Sequence, residues 1–170
     1  MGSRLNAEGP APCPTIIPGP SPGGLPGAPG AYILLLRVTT RLEAKVGSLG
    51  ALTFQPGLYA YVGSARGPGG LRGRVSRHLR QAKDGGARRW HIDYLLPHAG
   101  IEAVVLVYPS HSGGEECLAR ECRSRLPPGP RGFGSTDRPG DGTHLYRCPD
   151  SREECLRLLG ECGRACCLPA

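Results

Sequence analysis

Three clusters of side chains have the types and spacing for chemistry on a phosphate. In the first, Leu71, Val75, Leu79 and Ala82 recur at helical intervals and leave Arg74 and His78, four residues apart, together on another face. Arginine keeps its charge and offers a planar fork to phosphate oxygens, while an imidazole relays a proton near neutral pH. The same spacing also suits a solvated arginine beside a filler histidine. The second cluster is aromatic: Tyr32 opens one apolar run, and Tyr59 and Tyr61 share a face of another. Packing is the ordinary duty of strand aromatics, but Gly30 and Gly63 beside Tyr32 and Tyr61 permit close approach of backbone or ligand. The third is the acidic helix start Gly113-Gly114-Glu115-Glu116. A first-turn carboxylate complements the helix dipole, and Glu116 could pair with Arg120; near a phosphate, a lone carboxylate is instead the usual anchor for Mg²⁺.

Charge points to the same chemistry. The chain has 170 residues and a formal net charge of +7. Residues 66–90 hold Arg66, Arg72, Arg74, Arg77, Arg80, Lys83, Arg88 and Arg89 against one acid, Asp84, while the remaining chain is neutral. Clustering of this kind is the footprint of a polyanion, so Arg66, Arg72, Arg77, Arg80, Lys83, Arg88 and Arg89 are the candidate DNA contacts. The longest apolar runs, such as Ile33–Leu36 and Ala103–Tyr108, are strand-sized, so a membrane span is not expected. An N-terminus without an apolar stretch argues against secretion, and Asn6 against myristoylation of Gly2, which leads to a cytoplasmic reading with the eight cysteines as thiols. Cys148, Cys155, Cys162, Cys166 and Cys167 include no CxxC pair, which disfavours structural zinc.

These residues need elements to position them. Residues 1–29, rich in Pro and Gly, read as a disordered leader dispensable for folding. Strands are expected at 32–38, 58–62 and 101–108, and helices at 71–82, 90–96, 115–126 and 151–159, with a connection at 39–56 that suits a short hairpin. Two adjacent opening strands imply α+β rather than a doubly wound sheet. The chain divides as leader 1–29, nuclease-like domain 30–147 and Cys-rich helical tail 148–170. Trp90 suits the core, with base stacking the minority duty, and His91 and Asp93 suit either backbone satisfaction or the cleft.

Gly30-Ala31-Tyr32, Tyr61-Val62-Gly63, Leu71-x-x-Arg74-x-x-x-His78 and Glu116-Cys117-Leu118-Ala119-Arg120-Glu121, in that order, resemble the motifs of the GIY-YIG endonuclease superfamily. Tyr59 to Gly67, Trp90 to Leu96 and Gly132 to Asp137 with His144-Leu145 resemble its prokaryotic Uri-type subgroup. The resemblance covers about residues 30–147 and implies a small central antiparallel three-stranded sheet flanked by helices. It also implies one divalent metal, Mg²⁺ or Mn²⁺, cutting DNA phosphodiesters. Glu116 would hold the metal, Arg74 would stabilise the transition state, Tyr32 and Tyr61 would flank the water, and His78 would relay a proton. The chain departs from the pattern in its long connection between Tyr32 and Tyr61. It also carries Arg138 and Gly140 where the subgroup places cysteines. The rivals are a non-catalytic nucleic-acid-binding module using helix 71–82 and a thiol- or zinc-linked interaction protein centred on 148–167.

Overall fold

A computed structural model describes residues 12–109 and 114–167. The start of the leader, Gly113 and the last three residues of the tail lie outside them. At the centre runs β2 (Gly30–Val38), apolar on both faces and antiparallel to β5 (Gly57–Ala65) on one side and β6 (Ala99–Val107) on the other. Because side chains alternate across a strand, Tyr32, Leu34, Leu36 and Val38 enter one core and Ala31, Ile33 and Leu35 a second. The first core packs under α1 (Gly70–Asp84) and α2 (Ile92–Leu95); the second packs under α3 (Gly114–Arg125) and α4 (Arg152–Ala165). Strands buried on both faces are expected where helices cover both sides of a sheet.

The expectation of a three-stranded sheet is corrected. The sheet has five strands in the order β1-β6-β2-β5-β7, all antiparallel, with β1 (Thr15–Pro18) and β7 (Leu145–Arg147) at its edges. Both edge strands are too short to show periodicity, and the prolines around β1 are tolerated because an edge strand leaves one side unpaired. The connection after β2 forms a separate hairpin of β3 (Leu42–Lys45) and β4 (Ala51–Phe54), whose Phe54 joins the first core.

The expectation of a disordered leader is corrected over its described residues, 12–29. Beyond β1, Leu25 is buried in the first core, and the leader's backbone caps α1: Leu71 N–H donates to Ala28 O and Arg72 N–H to Pro26 O. These amides open a helix and have no partners within it, so leader carbonyls satisfy them. Gly70 permits the approach, since a Cβ there would strike the Gly27 and Ala28 carbonyls.

The thiol reading is also corrected. Cys13–Cys167, Cys117–Cys166 and Cys148–Cys155 are disulfides, which staple α4 to the leader, to α3 and to the end of β7. Cys122 and Cys162 remain thiols, buried with their sulfurs 3.6 Å apart. Among the described residues no helix is long and apolar enough to cross a membrane.

Candidate active site

The first core opens to solvent in a cleft of about 370 Å³ between β2, β5, α1, the start of α3 and the 134–137 loop. Tyr32 of β2 crosses over Gly63 of β5, its register partner, and a Cβ at Gly63 would land on the Tyr32 ring. The motif glycine is therefore a steric requirement of the tyrosine. Tyr32 Oη lies 2.6 Å from His78 Nε2, and both residues are almost fully buried. Burial and the Arg74 charge push the His78 pKa down to about 3, so its imidazole is neutral at working pH. Burial likewise raises Tyr32 well above the usual phenol range.

Tyr61 stands beside this pair with its ring edge-on to His78, and Gly134 leaves room for it. Burial, then the Glu115 charge, raises its pKa, so it too is a neutral phenol. Tyr59, on the same strand face, turns away: its hydroxyl donates to Gln55 O and accepts from Arg147. Arg74 lines the cleft with its guanidinium carbon 4.3 Å from the Trp90 ring centroid, and no carboxylate pairs with it among the described residues. A cation without an acidic partner, facing a cleft, is suited to an anionic ligand.

Two carboxylates line the cleft, Glu115 from the first turn of α3 and Asp137 from the 134–137 loop, and Glu116 is not among its lining residues. Glu115 Oε2 accepts from Ser64 Oγ at 2.9 Å, and Oε1 lies 3.3 Å from His144 Nδ1. Burial pushes its pKa up, but the contacts from His144 and Ser64 outweigh it and hold the carboxyl below the usual range. Glu116, about 100° further round the helix, is 58% exposed and pairs with Arg138. A first-turn Glu-Glu pair gives no sign in sequence of which member turns inward; that is decided by where α3 docks on the sheet.

The basic window divides. Arg77 makes a bidentate pair with fully buried Asp93 at 2.9 Å and stacks on Trp90 at 4.0 Å, so its charge is already engaged within the fold. Asp93 also accepts from the Arg89 and Trp90 amides, and its pKa falls because these donors outweigh burial. Arg72, though exposed, donates to Leu25 O, and Arg88 stacks on Tyr94. Arg66, Arg80, Lys83 and Arg89 are exposed, and Arg89 reaches the cleft wall. His91 Nδ1 accepts from the Gly134 amide at 2.9 Å and anchors the 134–137 loop, which brings Asp137 to the cleft. Ser64, Asp137, Asp141 and His144 also come together here, and none of them stands in a local pattern that marks a site. Of these, Asp137 and His144 carried a signal only as part of the resemblance around Gly132 to Leu145.

Glu115 and Asp137 are the side chains on this wall that could hold a divalent cation. Mg²⁺ keeps several waters and takes one or two protein carboxylates together with substrate phosphates. Glu115 is an ionised carboxylate on the cleft wall, and Asp137 lines the same wall. Among the described residues no group of three or more His, Cys, Asp or Glu side chains could cage an ion, so any metal here would depend on water and substrate for its remaining ligands.

No curated protein and no solved structure matches the chain. A family model, described as a domain of unknown function, DUF123, matches residues 31–165, from the strand bearing Tyr32 to the end of α4. The match spans both helical layers and every wall of the cleft, and on that extent the chain belongs to the DUF123 family.

Proposed function

We propose that the protein is a metal-dependent endonuclease of GIY-YIG type, close to the Uri-type subgroup, that hydrolyses DNA phosphodiester bonds with one Mg²⁺ or Mn²⁺. The observation that carries this reading is the meeting of Tyr32, Tyr61, Arg74, His78 and Glu115, drawn from four separate elements, in one cleft. A protein that only bound nucleic acid would gain nothing from an ionised carboxylate beside the phosphate.

The chemistry follows from the side chains. Arg74 donates to the non-bridging oxygens of the scissile phosphate and offsets the charge that grows there in the transition state. Tyr61, a neutral phenol facing the cleft, orients the attacking water. Tyr32 accepts the proton of that water while passing its own to His78 Nε2, so neither tyrosine need exist as a free phenolate. The neutral imidazole is open to this proton; burial is the main cause of its low basicity, and an incoming phosphate offsets the smaller part that comes from the Arg74 charge. Glu115 would hold the metal, which when bound supplies charge neutralisation at the phosphate and the leaving oxygen. Arg66, Arg80, Lys83 and Arg89 carry the flanking phosphates.

The test is a nicking assay on supercoiled, single-stranded and branched DNA with Mg²⁺ or a chelator. Glu115→Ala is expected to abolish cutting with DNA affinity kept, whereas Glu116→Ala continues to cut. If the wild type cuts none of these substrates yet binds them with a steep salt dependence, the protein is a non-catalytic binder.

A further inference from the structure

Glu115 is gripped from two sides by residues that the reaction above does not use. Ser64, on β5 just past the motif glycine, donates to Oε2, while His144 Nδ1 lies 3.3 Å from Oε1. On its other edge, His144 Nε2 lies 2.8 Å from Asp141 Oδ2. His144 is fully buried, and its amide donates to Phe133 O at 2.8 Å. A buried imidazole between two carboxylates is poor core packing, because an apolar side chain would fill the slot without desolvating three polar groups. Its value lies in direction. Each Glu115 oxygen faces a different element, Oε2 meeting Ser64 and, at 3.9 Å, Arg138, and Oε1 meeting His144, which restricts how the carboxylate can turn toward the cleft.

We propose that Ser64, His144 and Asp141 form a positioning clamp that aims the Glu115 carboxylate, with Asp141 setting the orientation of His144 and His144 setting that of Glu115. The clamp rests on the reading of Glu115 as the metal-holding carboxylate. Outer partners of this kind, when removed, cost about 10- to 100-fold in metal affinity or activity.

The probe is Mn²⁺ titrated into the full-length protein without DNA, with free ion followed by electron paramagnetic resonance and thermal unfolding recorded for each variant. Ser64→Ala, Asp141→Asn and His144→Asn are each expected to weaken Mn²⁺ binding about tenfold, and Glu115→Gln to abolish it. Ser64 and Asp141 are partly exposed, so their variants carry the test even if His144→Asn does not fold. In the nicking assay the clamp variants are expected to lose kcat with KM for DNA unchanged, a split that general loosening of the fold does not produce. If Glu115→Gln loses Mn²⁺ while the three clamp variants bind like the wild type, the clamp is overturned and the endonuclease reading stands. If Mn²⁺ binding follows the expected pattern but the wild type cuts no DNA, the clamp stands and the endonuclease reading falls. A wild type that does not bind Mn²⁺ overturns the clamp.

Discussion

Leu25 belongs to a stretch that reads as coil in sequence, yet its side chain is 1% exposed in the core beneath the cleft. Replacing it with alanine removes a buried isobutyl group and leaves a void beneath α1. The backbone caps to α1 remain, because Pro26 O, Ala28 O and Leu25 O are untouched. Large-to-small substitutions at such sites cost about 2–5 kcal/mol, and about 3 kcal/mol suits one leucine whose surroundings relax in part. For a domain of this size each kcal/mol lowers Tm by roughly 2–4 °C, so Leu25→Ala should melt about 6–12 °C below the wild type. Ile16, in the same leader but 39% exposed, provides the control, and Ile16→Ala should cost about 1 kcal/mol or less. Scanning calorimetry under non-reducing conditions measures both. Equal, small shifts for the two variants would refute the packed leader and restore the passive tail.

Arg77→Ala should cost about 3–5 kcal/mol in urea unfolding by stranding the buried Asp93 carboxylate, whereas Arg80→Ala should leave stability unchanged and lower the salt slope of DNA binding by about one. His78 stays neutral to about pH 3 in the fold but protonates near 6.5 in the unfolded chain, so its contribution is complete above pH 6.5. Below that, stability should fall by about 1.4 kcal/mol per pH unit, a slope that His78→Leu removes in urea titrations between pH 6.5 and 5. The raised His144 pKa acts only above pH 6.5, with stability lost as pH rises, so the two windows do not overlap. Breaking Cys117–Cys166, which spans 49 residues, with a double Cys→Ala variant should cost about 4 kcal/mol in the chain-entropy account, read as a lower Tm without reductant.

Much of this protein is legible locally. The apolar run of β2, the two-residue alternation of Tyr59 and Tyr61, the 3.6-residue stripe of α1 and the glycines beside Tyr32 and Tyr61 are each dictated by near neighbours. β2, β5 and α1 accordingly lie within three residues of their expected bounds, whereas α4 runs six residues past its expected end. The cluster of Arg74 and His78 on one helix was legible for the same reason. What tertiary structure decided is every choice between near-equivalent residues. Docking of α3 turned Glu115 inward and Glu116 outward, and a buried Asp93 sixteen residues away withdrew Arg77 from the basic surface. Packing against β6 and α1 made a strand and a helix cap out of a Pro/Gly leader. Local spacing fixes which face of an element a side chain occupies, but burial and pairing depend on partners distant along the chain. No window of sequence contains both halves of those contacts.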